Sequence, residues 1–468
     1  MTLLKAVRRA FAPAILLPLL LGTGSAVGQT APPTESAGQD FVTDLWNQDT
    51  LLGNWGGVRD RFGDQGIILA ADSIDEILGV ASGGSRTGTA YNGRVEITAS
   101  IDLDKSLGWT GALFHTNAYW THGSGLAANG QLSNLMTASN IEAVPSFRLF
   151  DLWIEQLLFD GQISIRAGQL AADDEFLASD SASNFSNATF GWPAIVSADL
   201  PSGGPIYDLA TPGIRVKYAP SDNFVVSAAL FNGDPAYAGR GDPQRRNADG
   251  LAFRHNGGAF LIGEAAYKSS LDVGTGDLPS SYKIGAWFHS SDFSDQHLDD
   301  TGQSLASPAS SGVPRKLPHD YGIYVIVDQI IWHKPGTDDG GIAAFLRGSW
   351  APPDRNFVAY YADGGVTFKG LFGERSNDVI GIAFAFADVS NDVQALDHDV
   401  RRFSGIVIPV HDYEATVELT YHVQINTWWS MQPDVQFIMH PGGNVALPNS
   451  SALVPDATVI GLRSSFVL

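Results

Sequence analysis

The segment His411–Asn426 reads HDYEATVELTYHVQIN, and from Asp412 onward it alternates without a break. Tyr413, Ala415, Val417, Leu419, Tyr421, Val423 and Ile425 share one parity. Asp412, Glu414, Thr416, Glu418, Thr420, His422, Gln424 and Asn426 share the other. Successive side chains of a strand point to opposite faces, so the pattern predicts one long β-strand with an apolar face and a polar face. Ordinary strands run to about 5–6 residues and tilted bilayer-crossing strands to about 9–11. The length suits a membrane, and a Tyr near each end of the apolar face suits its two interfaces. A long strand of a soluble sandwich is the rival reading of this stretch taken alone.

Outward from it, the same pattern recurs from Gly66 to the end of the chain, with no helical stretch of any length. Strands are predicted near 67–78, 91–104, 109–121, 146–158, 162–170, 212–220, 223–232 and 258–268. The series continues near 281–290, 320–332, 341–350, 356–368, 377–388, 411–425, 428–440 and 457–468, making sixteen. In the second of these, Tyr91, Val95, Ile97, Ala99, Ile101 and Leu103 oppose Asn92, Arg94, Glu96, Thr98, Ser100, Asp102 and Asp104. The connections sort by length. Those from even to odd strands are short or middling, whereas seven of the eight from odd to even are long, 79–90 and 291–319 among them. Short turns on one rim and long loops on the other are the mark of bacterial outer-membrane barrels, and a sandwich has no reason to sort its loops so. In lipid every strand edge must pair, so the sheet has to close, and about sixteen strands enclose water. The expected fold class is therefore all-β: a transmembrane antiparallel β-barrel with short periplasmic turns and long extracellular loops.

Bulk composition is compatible with this and removes other classes. The hydrophobic fraction is 44%, and beyond the N-terminus no apolar run has the length of a spanning helix. There is no cysteine, which excludes disulfides, thiolate chemistry and Cys-ligated metals. Residues 1–28 read as a signal peptide: Lys5, Arg8 and Arg9, the apolar Phe11–Leu21, then Ala26 and Gly28 as a small-x-small cleavage site. Its removal takes the formal net charge from −22 to about −25. Such acidity argues against nucleic acid as a partner and against an anion-selective pore. Residues 29–65 form a polar linker and a short amphipathic helix around Val58 and Phe62, capped by Gly63 or Gly66. The barrel domain occupies 66–468.

Several spaced segments carry a resemblance: LLGNWGGVR at Leu51–Arg59, FNGDP at Phe231–Pro235, DQIIW at Asp328–Trp332, FKGLF at Phe368–Phe372, Tyr413–Tyr421 with Trp428 and Trp429, MQPD at Met431–Asp434, and Gly461-Leu462-Arg463. From about Leu51 onward the chain resembles the carbohydrate-selective porin family of the OprB type. Two departures stand out: the family typically closes with Phe, whereas this chain ends in Leu468 with Phe466 before it, and the loops here are strongly acidic. The resemblance implies a sixteen-stranded outer-membrane channel passing monosaccharides such as glucose by diffusion. A general cation-preferring porin is the alternative that the charge also permits.

Inward-facing parities supply the candidate pore-lining or constricting residues Arg94, Glu96, Asp151, Trp153, Glu155, Arg166, Arg215, Lys217, Trp287, Glu414 and Glu418, with His289 beside them. The longest loop, 171–211, adds Asp173, Asp174, Glu175, Phe185, Phe190, Trp192 and Tyr207, and it is the candidate to fold inward and narrow the lumen. A sugar presents hydroxyls at its rim and an apolar C–H face, so carboxylates, guanidinium groups and aromatic rings together match it. A solvated wall without selectivity is the plainer reading of each charge. Asp412 and Glu414 lie about 7 Å apart at strand spacing, a gap that an inverting glycosidase also uses, but polar alternation alone produces such pairs. No H-E-x-x-H, G-x-S-x-G or phosphate-loop motif is present, and no enzyme, cofactor or metal is expected. The expected partners are small-molecule sugars and outer-membrane lipid, with a homotrimer as one open assembly. A secreted glycan hydrolase or lectin is the reading from another class.

Overall fold

The computed structural model describes residues 46, 48–272, 277–337 and 339–468. The signal peptide and most of the linker lie outside the described residues. The alternating segments form sixteen antiparallel strands. They are β1 (Ile67–Ser82), β2 (Gly88–Asp102), β3 (Ala112–Gly123), β4 (Ser146–Leu158), β5 (Ile163–Leu170) and β6 (Thr211–Ser221). Next come β7 (Phe224–Asn232), β8 (Ala259–Asp272), β9 (Asp277–Asp299), β10 (Pro314–His333) and β11 (Gly341–Trp350). The last five are β12 (Val358–Lys369), β13 (Val379–Val389), β14 (Tyr413–Asn426), β15 (Trp429–Met439) and β16 (Ala457–Val467). Each pairs with its sequence neighbours, and β1 pairs with β16 to close the barrel, with Glu76 opposite Arg463 in that last ladder.

Burial along β14 shows which way the faces point. Leu419 is 49% exposed, whereas Glu414 and Glu418 are 0% exposed. This inverts the pattern of a protein whose outside meets water. It repeats around the wall at Ile97, Ile284, Ile323, Leu346, Ile382 and Ile460, all exposed and apolar. Exposed aromatic residues sit at both ends of this belt, Tyr218, Phe224, Tyr267 and Trp332 towards the short turns and Trp120, Phe147, Tyr321 and Tyr360 towards the long loops. Rings there place an apolar body in hydrocarbon and a polar edge in the headgroup layer. Among the described residues no helix is long and apolar enough to cross a membrane, so any crossing is made by strands.

The rims differ from expectation in three places. β1 and β2 pair up to Val80 and Gly88, so the predicted long loop 79–90 shrinks to 83–87. β9 and β10 run on as a paired hairpin that projects past the wall and absorbs most of 291–319. The connection after β13 holds a real helix, Asn391–Ser404, against the expectation of none. Ser390 caps it and Gly405 ends it at φ +68°, with Val393 and Asp397 on its buried side. At the opposite rim the predicted amphipathic helix forms at Val58–Asp64 and ends at Gln65 before Gly66. Gly66 has φ +81°, a conformation that a side chain would strain. The same rim holds the chain end. Arg59 donates to the Leu468 carbonyl, and Leu51 N–H to that of Val467 at 2.8 Å. Phe466 stacks on Trp429 with ring centres 5.4 Å apart, while Leu468 itself lies beyond the strand.

Candidate functional site: the narrowed lumen

The connection from β5 to β6 does not stay at the rim. Its apolar residues, Phe176, Leu177, Phe185, Phe190, Ile195 and Val196, are each at most 1% exposed, and they pack on inward side chains of the wall. Phe185 and Phe190 meet Phe345 of β11 at 6.0 and 6.2 Å. Polar wall residues then satisfy the loop backbone, as buried amides require. Glu418 accepts the N–H groups of Ser186 and Asn187 at 2.7 and 2.8 Å. Asp328 accepts the Ser179 hydroxyl at 2.6 Å, and Glu264 the Leu177 N–H at 3.3 Å. Arg347, 1% exposed and paired with the fully buried Asp363, donates to the Leu177 and Thr189 carbonyls at 2.8 and 2.9 Å. The loop is thereby pinned across β8 to β15.

The connection 124–145 folds in beside it. Glu414 accepts the N–H groups of Leu135 and Met136, both at 2.7 Å. Asn140 N–H donates to Ser186 C=O at 2.8 Å, and Ala188 N–H to Thr137 C=O at 2.9 Å, so the two loops are stitched together.

The candidate passage runs along the inner surface of β1 to β6, where most of the charged residues singled out from sequence stand. There Arg166 lies 3.4 Å from Glu155 and 3.2 Å from Glu175, and Arg215 lies 3.0 and 2.7 Å from the same two carboxylates. The Arg166 guanidinium sits 3.8 Å over the Trp153 ring, which stacks on His115 at 4.6 Å. Arg94 pairs with Asp72 at 3.5 Å and Glu96 at 3.3 Å, and it lies over the rings of Tyr119 and Tyr207. Seven carboxyl groups, those of Asp72, Glu96, Asp151, Glu155, Asp173, Asp174 and Glu175, stand on this passage against the guanidinium groups of Arg94, Arg166 and Arg215. In the loop turn, burial and then the neighbouring Asp174 push the Asp173 carboxyl up to about 7. Burial likewise pushes Asp208 up to about 6 despite its ion pair with Arg148 at 2.5 Å.

Of the residues singled out from sequence, Arg94, Glu96, Asp151, Trp153, Glu155, Arg166 and Arg215 thus come together on one wall. Lys217 lies two positions further along the same inward row of β6, half-buried and without an ion pair among the described residues. Three expectations are corrected. Glu414 and Glu418 do not line open lumen, because backbone N–H groups of the infolded loops take up their carboxylates. Trp287, 3% exposed, is packed in the cluster beneath the loop beside Tyr324. His289 is fully buried and bonded to the Gly233 carbonyl. Trp192 belongs to a separate recess above the passage. Asp72 and Tyr119 were not legible as wall residues: β1 places Ile74 and Leu78 on the same inward parity as Asp72 and Glu76, which blurs its alternation.

Comparison with known proteins places this geometry. A model of the carbohydrate-selective porin, OprB family matches residues 86–468. Porin B of Pseudomonas aeruginosa is 25% identical over 420 residues, covering 85% of this chain and 88% of that protein. A putative porin of Acinetobacter baylyi, QuiX, is 24% identical over 432 residues, covering 86% and 91% respectively. Among solved structures, the high-pH form of Pseudomonas putida OprB superposes with a TM-score of 0.80 at 23% identity, covering 90% of this chain and 99% of that one.

Proposed function

The chain belongs to the carbohydrate-selective porin family, OprB, an outer-membrane channel fold, and from that premise we propose that it passes neutral monosaccharides such as glucose by passive diffusion. The observation that carries the reading is the passage between the pinned loop and β1 to β6. Each of its three guanidinium groups is paired with two carboxylates, so no arginine there holds an anion alone, and aromatic rings stand beside them at Trp153, Tyr119 and Tyr207. Hydroxyls of a sugar exchange with such pairs, while its C–H face slides over the rings. Each net hydrogen bond contributes only about 0.5–1.5 kcal/mol. A channel needs that weakness, since millimolar affinity corresponds to about −4 kcal/mol and tighter binding slows exit.

Liposome swelling with a graded series of sugars, and with charged solutes of matched size, tests the proposal. Pentoses and hexoses should enter faster than disaccharides and faster than a hexuronate. A second reading, a general cation-preferring porin, is favoured by the surplus of carboxylates on the same wall. It predicts rapid entry of small cations and a current that sugar leaves unchanged.

A further inference from the structure

The β8–β9 ladder ends at Phe260 opposite His289, whereas β9 runs on to Asp299, so Ser291–Ser294 has no β8 residue beside it. A groove of about 430 Å³ lies along this free edge on the long-loop side. Across it stands the turn Arg254–Gly257 of the connection 233–258, and Asp199 and Pro201 of the infolded loop line it too. The turn is held in place. Gly257 N–H donates to the Arg254 carbonyl at 3.2 Å, and the Gly257 carbonyl accepts the Ser291 hydroxyl at 2.8 Å. That second bond fixes Asn256 and Asp292, each one residue away from it, on the two sides of the groove. Two of the carboxylates there are already taken. Asp199 accepts the N–H groups of Phe357 and Val358, and Asp234 accepts the Ser202 hydroxyl and the Ala236 N–H. Three polar side chains are left for a ligand. Asn256 and Asp292 are both exposed, and neither side chain makes a hydrogen bond or ion pair among the described residues. Arg254 meets Asp234 through one nitrogen at 3.4 Å, and its side chain is 42% exposed. Phe293 adds an aromatic ring to the same groove.

We infer that this groove is a binding site for one neutral pyranose ring, which it holds at the mouth before the ring enters the barrel. The inference rests on the sugar-channel reading given above. The volume lies within the roughly 300–1,000 Å³ of small-molecule sites. A carboxylate accepts from neighbouring hydroxyls, an amide both donates and accepts, and a guanidinium donates. Asp292, Asn256 and Arg254 together therefore complement a ring edged with hydroxyls, and Phe293 meets its C–H face. These polar groups already face water, so each bond to the sugar replaces one to solvent and contributes only about 0.5–1.5 kcal/mol. Release stays fast, as a station ahead of a channel needs. Asp199, Asp234 and Asp292 outnumber the single Arg254, so uronates and sugar phosphates are turned away.

The chain has no cysteine, so a single introduced thiol reports on the groove alone. Ser294→Cys places it at the groove, and Leu453→Cys, at another exposed long-loop position, is the control. The test uses the full chain in detergent micelles, with heat-modifiable gel migration to check that each barrel is folded. Maleimide labelling of Ser294→Cys should slow as D-glucose is added, and that of Leu453→Cys should not. Glucuronate at the same concentration should protect neither. Adding Asn256→Ala or Asp292→Ala to Ser294→Cys should raise the half-protecting glucose concentration about two- to tenfold, the loss of one hydrogen bond. Absence of protection, or a half-protecting concentration that both substitutions leave unchanged, overturns the groove as a site and leaves the sugar channel standing. Liposome swelling that fails to favour sugars over small cations overturns the channel reading, and the role of the groove with it.

Discussion

Glu418 and Ser186 lie 232 positions apart in the chain, yet the carboxylate of the first accepts the backbone N–H of the second at 2.7 Å and its hydroxyl at 2.9 Å. This contact turns a surface connection into an internal partition. Wall carboxylates thus hold the infolded loop in place from inside the barrel. Replacing Glu418 by Ala leaves the N–H groups of Ser186 and Asn187 buried and unpaired, at about 1–3 kcal/mol each. The loop should leave the wall. Single-channel conductance should rise, and swelling assays should admit trisaccharides that the unaltered channel excludes. Unchanged conductance and size cut-off in a folded E418A barrel would show that the apolar contacts alone hold the loop.

Arg347 and Asp363 make a stronger version of the same anchor. Both are almost wholly buried, and Tyr361 O–H also donates to Asp363 at 2.7 Å. Removing one member of a buried pair costs about 3–5 kcal/mol, because the other charge is left behind. Arg347→Met should lower the urea midpoint in detergent micelles accordingly. The double variant with Asp363→Leu should recover a large part of that loss, since no isolated charge remains. If the double variant is no more stable than R347M, the loop carbonyls that Arg347 also serves carry the energy.

Most of the wall was legible because alternation reports two solvents directly. β4 was predicted at 146–158 and is observed at Ser146–Leu158. The infolded loops were legible only in part. The aromatic residues of 171–211 marked that loop as one that folds inward, but nothing distinguishes Glu414 or Glu418 in sequence from a carboxylate bathed in lumen water. Their partners in the infolded loops come from more than two hundred residues away. The helix at Asn391–Ser404 was different, since its signals were present: Ser390 as a cap, Val393, Leu396, Val400 and Phe403 at helical spacing, and Gly405 beyond the end. A strand-by-strand reading passed over it because the loop's job in a barrel is only to return the chain.

The guanidinium group of Arg215 neutralises part of the charge of both Glu155 and Glu175, at 3.0 and 2.7 Å. Arg215→Gln keeps much of the volume and removes the positive charge. A unit charge at about 4 Å is worth about 1 kcal/mol even in water, so the cation-to-anion permeability ratio should rise on the order of fivefold. The reversal potential across a KCl gradient measures it. The change should shrink in 1 M salt, where the screening length falls to about 3 Å. A ratio indifferent to this substitution would place the ionic path elsewhere in the lumen.

Asp173 gives the passage a pH dependence whose sign follows from its surroundings. Its carboxyl is pushed up to about 7 by burial and by Asp174, against an ordinary value of about 3.9. Above pH 7 it is ionised and adds a negative charge at the mouth of the passage; below, it is neutral. Cation preference should therefore be highest at pH 8 and decline as the pH falls through about 7. Stability moves the opposite way. Between about pH 4 and 7 the folded chain holds a proton that the unfolded chain has released, so this residue's contribution is largest below pH 4 and is lost as the pH rises through 7. Asp173→Asn should flatten both profiles over that window, with reversal potentials reading the first and urea midpoints at pH 5 and 8 the second. A selectivity profile in D173N that still bends near pH 7 would assign the titration to another group on the same turn.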